Sequence, residues 1–335
     1  MKLTRRKFVK LAGLAGLVGL AGSLTGCGNK SAGDKLQKFA VAENLPRPNK
    51  ATVYFSKTID PEHLIAIYNK VNSNIVGNIA IKLHTGEPNG PNFLTPDIVQ
   101  PFQAQIPNST IVETNVAYGG PRSTTEGHRR VLKQNGWTFC DVDILDEDGD
   151  TNFPVSGGYH LRQVAMGSHL TNYDSLVVLT HFKGHAMGGF GGSLKNIAIG
   201  CASGKLGKRQ IHGLEDKGEW LMGTELMERF ADSGKAICDH FGRQIVYLNV
   251  LQRLSVDCDC AGAGAAAPEM PDLGILASTD ILAVDKASVD MIYNFPGPEK
   301  NSLIERIESR SGLHQLTAME KLKMGTTNYE LITID

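Results

Sequence analysis

His181, Lys183 and His185 stand at alternate positions just after an apolar run, Leu176-Val177-Val178-Leu179. Five glycines, Gly184, Gly188, Gly189, Gly191 and Gly192, fall within the next nine positions. The apolar run is short enough to be a strand buried on both faces, and the polar chemistry begins where it ends. Ser193 reads as an N-cap, with residues 194–199 opening a helix. A buried strand, a glycine-rich turn and a helix N-terminus together make an anion site, because free backbone N–H groups and the positive dipole end converge where glycine permits close approach. Lys195 sharpens this expectation, since a cation in the first helical turn costs roughly 0.3–1 kcal/mol unless an anion sits beside it. The pattern therefore predicts a carboxylate or phosphate bound by Gly188, Gly189, Gly191, Gly192, Ser193 and Lys195. His181, His185 and Lys183 are the candidate acid–base groups, since histidine titrates near working pH. The plainer alternative is a tight turn whose glycines let the helix pack on the sheet.

Familiar motifs do not fit this stretch. Residues 204–209 (GKLGKR) lack the spacing and hydroxyl of a P-loop, and residues 189–194 do not complete G-x-G-x-x-G. His181 and His185 are four apart, but Gly184 and the preceding strand argue against a helix, and the glutamate of H-E-x-x-H is missing. These features argue against a zinc protease. Farther along, Asp257-Cys258-Asp259-Cys260 precedes a glycine/alanine run and offers two thiolates to a soft metal. Two thiolates are half of a closed site, and His181, His185, His212 or Cys201 would have to complete it. Free thiols, or a disulfide to another cysteine, are the alternatives, and a Cys258–Cys260 bond would be strained.

These groups need a scaffold, and strands alternate with helical segments along the chain. Strands are expected over 51–55, 79–83, 110–113, 176–179, 244–250 and 329–333. Asp60-Pro61-Glu62 starts a helix with a cap and proline at its first position. Further helices are expected over 124–135, 219–235, 280–293, 301–309 and 314–323. The alternation gives an α/β fold with a largely parallel sheet flanked by helices, in one body or two Rossmann-like lobes. Strand C-termini are where ligands bind in such sheets, so His84 and Glu87 join the candidates. Arg122, which could grip a carboxylate in bidentate fashion, joins them too. The acidic run over 141–150 lacks the ligand spacing of an EF-hand and reads as a solvated loop.

Composition sets the remaining bounds. The 335 residues, 41% hydrophobic, can bury one large core or two modest ones. Net charge is −1, yet Lys2, Arg5, Arg6, Lys7 and Lys10 precede any acid, so the chain beyond residue 26 carries −6. A mildly acidic protein without a basic stripe does not read as a nucleic-acid binder. Residues 4–10 (TRRKFVK) look like a twin-arginine export motif, followed by a Gly/Ala/Leu segment and Leu24-Thr25-Gly26-Cys27, which resembles a lipobox. The expectation is a signal peptide over 1–26 and a palmitate-type lipid on Cys27. Residues 27–50 form a tether, and a folded domain spans 51–335 on the outer, periplasmic side of the cytoplasmic membrane. The partners implied are the twin-arginine export machinery, the membrane surface and a small anionic ligand. With Cys27 acylated, five of the six cysteines remain, so a fully disulfide-paired monomer is excluded.

Residues 181–207 (HFKGHAMGGFGGSLKNIAIGCASGKLG) resemble the signature of the domain-of-unknown-function family 362. Residues 78–87, 115–122 with His128, 257–260 and 272–285 resemble it too. That resemblance implies a metal- or cofactor-binding protein of redox type, since many members carry a ferredoxin module with iron–sulfur clusters. This chain has no C-x-x-C-x-x-C-x-x-x-C, so the ferredoxin activity does not carry over. The His…Gly-Gly…Lys…His arrangement is also similar to the nickel-pincer lactate racemase family. That likeness implies Lys195 as tether of a nucleotide-derived cofactor, His212 as a ligand and His181 or His185 as acid/base. Three classes stay open: an exported metal or iron–sulfur redox protein, a cofactor enzyme on a small carboxylate, and a non-catalytic anion-binding lipoprotein.

Overall fold

The computed structural model describes residues 49–335. The expected leader, Cys27 and nearly all of the tether lie outside the described residues. Twelve strands and nine α-helices are described. The strands are β1 Ala51–Ser56, β2 Ile79–Lys82, β3 Ser109–Glu113, β4 Val142–Ile144, β5 Asp150–Pro154, β6 Gln163–Gly167, β7 Ser175–His181, β8 Lys183–His185, β9 Gly189–Gly191, β10 Ile245–Leu251, β11 Gly274–Ser278 and β12 Tyr329–Thr333. The helices are α1 Pro61–Tyr68, α2 Pro96–Ala104, α3 Thr125–Gln134, α4 Ser193–Gly200, α5 Gly207–Ile211, α6 Gly223–Phe241, α7 Ile281–Tyr293, α8 Asn301–Ser309 and α9 His314–Lys321.

Eight strands form one sheet in the order β12-β1-β11-β10-β7-β2-β3-β4, and β5–β6 and β8–β9 are separate hairpins. Within the large sheet only β11 is antiparallel, to both of its neighbours. The others pair in parallel. Every residue of β7 is buried, as its continuous apolar run requires. Leu176 and Val178 face a core shared with α4, α6 and α7, while Val177 and Leu179 face one shared with α1 and α2. A largely parallel α/β sheet flanked by helices is therefore the architecture. Where the sequence left room for two Rossmann-like lobes, the two cores are the two faces of a single sheet.

The helix starts are set locally. Asp60 accepts from the His63 amide at 2.8 Å, with Pro61 next to it, Thr124 accepts from Gly127 at 3.2 Å, and Asp280 accepts from Ala283 at 2.9 Å. The helix expected over 219–235 is displaced to Gly223–Phe241. The Leu221 amide bonds the His212 carbonyl at 2.9 Å and holds the preceding residues as a loop. The acidic run is less solvated than its composition implies, because Asp146 accepts from the amides of Asn115 and Gly204 and Asp143 from Tyr173. Among the described residues no helix is long and apolar enough to cross a membrane.

This topology makes a crevice. From β2 the chain moves outward through β3 to β4, whereas β7 pairs with β2 on its other side and leads to β10. The loops that follow β2 and β7 therefore diverge, and in parallel sheets such a switch point opens a site at the strand carboxyl ends.

Candidate functional site

A cavity of about 220 Å³ occupies that crevice. Its floor comes from the last residues of two strands, Lys82 of β2 and Glu113 of β3, and both are buried. Glu113 is the hub of the floor. Its Oε2 accepts from Lys82 Nζ at 3.0 Å, and its Oε1 from Arg122 Nη2 at 2.9 Å and from the Thr85 amide and hydroxyl at 2.9 and 3.1 Å. Burial works to raise its carboxyl, but Lys82 and Arg122 outweigh it and hold the group well below the usual carboxylate range. Arg122 also bonds Glu87 Oε1 at 3.0 Å, with Tyr118 donating to the same oxygen at 2.7 Å. Its Nε donates to His128 Nε2 at 3.1 Å. His84, Glu87 and Arg122 thus meet at one end of the cavity, where Arg122 is committed to two internal carboxylates.

The opposite wall is the β8–β9 hairpin, which pairs Lys183 with Gly191 and His185 with Gly189. Gly184 lies in its middle, donates to the Ser255 carbonyl at 2.8 Å, and leaves no room for a Cβ, which would fall 2.2 Å from the Val256 carbonyl oxygen. Only glycine lets the 255–260 segment lie against the hairpin. That close approach brings a distant C-x-C onto His185. Ligand atoms of His185, Cys258 and Cys260 all lie within 4.8 Å of one another. Between the two cysteines Asp259 turns inward, bonding His181 Nδ1 at 2.9 Å and Lys183 Nζ at 3.1 Å. Burial favours a raised Asp259 carboxyl, but His181 and Lys183 pull it far below its ordinary value.

The thiols are an unequal pair. The neighbouring Cys260 thiol is the main reason that Cys258 is held below its ordinary value, with Lys195 and Lys183 adding to it against burial. Cys260 is pushed well up by Cys258 and by burial. Cys258 is therefore the more acidic of the two thiols. His185 Nδ1 accepts from the amides of Gly188 at 2.9 Å and Met187 at 3.2 Å, which puts the ring proton on Nε2, 3.8 Å from Cys260 Sγ. Burial and then Lys195 keep His185 neutral.

The site residues expected from sequence are not all placed together. Lys183, His185, Gly191, Gly192, Lys195, His212, Cys258 and Cys260 line the cavity, with His84 and Arg122. His181 does not. Its Nδ1 is taken by Asp259 and its Nε2 lies 2.6 Å from the Gln252 carbonyl, so it has neither proton nor lone pair for a ligand. Cys201 is corrected as a metal ligand, because it is fully buried in the apolar core, where desolvation pushes its thiol up to about 12. His212 lines the cavity under Trp220, with ring centroids 4.8 Å apart, but stands outside the thiol–imidazole cluster. Burial and then Lys195 bring His212 down to about 3, and its buried Nδ1 has no partner.

The anion cradle needs a further correction. Gly192, not Ser193, is the N-cap of α4, and the first-turn amides of Ser193 and Leu194 donate to Asp285 of α7 at 2.7 and 2.9 Å. A Cβ on Gly192 would lie 2.5 Å from that carboxylate. The expected anion is supplied by the chain itself. Gly188 and Gly189 serve packing, since a Cβ on Gly189 would fall 2.7 Å from Gly312.

Sequence reasoning passed over four residues of the site. Lys82 and Glu113 are charges ending buried strands, a signal that was present in their positions. Lys208, 5% exposed, bonds Thr114 Oγ1 at 2.7 Å and the Asn115 carbonyl, and burial brings it down to about 8. Asp285 is the buried acid of a largely apolar helix, whose other acid, Asp290, pairs with Lys286.

No curated protein matches the chain. Among solved structures, the lactate racemase apoprotein from Thermoanaerobacterium thermosaccharolyticum superposes with a TM-score of 0.40 at 10% identity, covering 87% of this chain and 85% of that one. The family model described as "Domain of unknown function (DUF362)" matches residues 79–290, a span that contains Lys82, the hairpin, the C-x-C and Asp285. The chain belongs to that family.

Proposed function

We propose that this is an exported, lipid-tethered metalloprotein that binds a small carboxylate against a mononuclear metal centre formed by His185, Cys258 and Cys260. One observation carries the proposal: the imidazole and both sulfurs come within 4.8 Å of one another at the wall of a cavity whose other charged groups are mostly cations. Two sulfurs and one nitrogen suit a soft or borderline ion. Three protein ligands facing a cavity leave a position open, as catalytic sites do. A four-iron cluster takes four cysteines, and among the described residues only two thiols meet, so the iron–sulfur expectation does not fit this site.

Bound there, an ion would supply Lewis-acid or redox chemistry. The chain's own residues do the rest. Lys195 stands beside the cluster without a hydrogen bond or ion pair among the described residues, available to hold an oxyanion. Lys183 and Asp259 fix the Cys258–Cys260 turn from beneath. Trp220 covers His212 at the mouth.

Elemental analysis of the full chain, matured through its own export route, is expected to find one metal ion per protein. Losing an outer-shell partner typically costs roughly 10–100-fold in metal affinity. Cys258→Ser or Cys260→Ser, each losing a direct ligand, should therefore weaken binding more than tenfold. Wild-type protein that takes up no ion, or serine variants that keep full affinity, would overturn the metal centre. A second reading rests on the free Lys195 ammonium next to His212: Lys195 tethers an organic cofactor. Intact-mass measurement decides it, through a covalent adduct that is absent in Lys195→Ala.

A further inference from the structure

We infer that the ligand of this cavity is a short dicarboxylate, one end bound by Lys195 beside the thiol–imidazole cluster and the other by Lys208 and His84. The inference rests on the anion-binding part of the proposed function. It follows from what the cavity leaves unpaired.

Three of the five cations that line the cavity are neutralised internally: Lys82 and Arg122 by Glu113 and Glu87, and Lys183 by Asp259. Two are not. Lys195 has no partner among the described residues. Lys208 is buried and bonds only neutral oxygens, those of Thr114 and Asn115, so one of its three ammonium protons is unused. Glu113 is the only carboxylate in the lining, and both of its oxygens are already engaged. Two buried or half-buried ammonium groups without an ion pair call for a ligand with two negative charges; Asp146, which acts on Lys208 at longer range, is taken up by the amides of Asn115 and Gly204.

His84 makes the same demand independently. Its Nδ1 lies 3.0 Å from the Gly86 amide and its Nε2 3.3 Å from Arg122 Nη1, and both neighbours are donors. A neutral imidazole carries one proton, so whichever nitrogen holds it meets another donor. An oxygen inserted from the cavity relieves that contact. Burial and then Arg122 hold the ring well below its ordinary value, so it does not take a second proton, which would set an N–H against both donors.

The two ends are distinct. Lys208 belongs with the floor residues after β3, whereas Lys195 projects from α4 toward the β8–β9 hairpin and the thiols. At about 220 Å³ the cavity is smaller than the roughly 300–1,000 Å³ that take drug-sized ligands, which limits the ligand to a few carbons.

Titration calorimetry on the full chain tests this with malonate and succinate against propionate, butyrate and inorganic phosphate. One of the dicarboxylates is expected to bind at least tenfold tighter than the monocarboxylate of equal length and than phosphate. Lys208→Met should erase that preference, lowering dicarboxylate affinity at least tenfold and monocarboxylate affinity less than twofold. Lys195→Met serves in its place if Lys208→Met melts early. Affinities for dicarboxylates and monocarboxylates within threefold of each other overturn the inference, as does phosphate binding as tightly as succinate. Metal content is measured in parallel. Dicarboxylate selectivity in a protein that holds no ion leaves this inference standing and removes the metal centre, whereas a bound ion without selectivity does the reverse.

Discussion

Glu113→Gln is expected to cost about 3–5 kcal/mol of folding stability, the penalty for leaving a buried charge without its partner. Glu113 is 2% exposed and Lys82 1%, so neither can turn to water. Glutamine keeps one acceptor for Arg122 and Thr85 but presents an amide to Lys82 Nζ, whose remaining bond is to the Leu83 carbonyl. The double variant Lys82→Met/Glu113→Gln should recover much of the loss, because removing both charges together avoids the unpaired ammonium. The pH dependence has a definite sign. The folded-state carboxyl lies well below its ordinary value, so its stabilisation is present above the unfolded value near 4.5 and disappears as pH falls through the folded one. The gap between wild type and Glu113→Gln should therefore narrow below about pH 4. Urea denaturation at neutral and acid pH measures it. A single variant within 1 kcal/mol of wild type would mean that the floor of the cavity is not held by this carboxylate.

The difference between what sequence predicted and what folding placed follows from the range of each signal. Period and caps are local, so β7, α3 with Thr124, α7 with Asp280 and the strand at Tyr329–Thr333 were legible from neighbouring residues. Charges ending buried strands were legible in principle, since Ile-Ala-Ile-Lys and Thr-Ile-Val-Glu each finish on one. The meeting of His185 with Cys258 and Cys260 was not, because it depends on Gly184 admitting a segment more than seventy residues away. Nor could spacing reveal which histidine faces inward. His181 and His185 look equivalent along the chain, but Asp259 takes one and leaves the other to the cavity. The glycine turn was misassigned for the same reason. A helix N-terminus signals that an anion is needed, and whether the anion is a ligand or a side chain ninety residues later is a matter of tertiary structure.

That last point gives the second large expected effect. Asp285→Ala should destabilise the protein by about 3–5 kcal/mol at pH 5. It leaves the Ser193 and Leu194 amides and one Asn249 amide hydrogen buried without acceptors, at roughly 1–3 kcal/mol each and less than additively. Burial raises the Asp285 carboxyl to about 6, outweighing the hydrogen bonds that pull it down. Its folded value thus exceeds the unfolded 3.8, so its contribution is complete below that value and declines as pH rises through about 6. The penalty of the alanine variant should accordingly shrink by up to about 3 kcal/mol between pH 4 and pH 7.5, opposite in sense to the trend of its β3 counterpart across acid pH. Because Gly192 leaves room beside the vacated carboxylate, formate should bind at the freed amides and raise the melting temperature of Asp285→Ala but not of wild type. A penalty that grows with pH would show that burial does not raise this carboxyl, and no differential response to formate would show that α4 does not depend on a carboxylate at its first turn. Lys195 projects from that same turn, so the helix that Asp285 anchors also sets where the cavity's free ammonium stands.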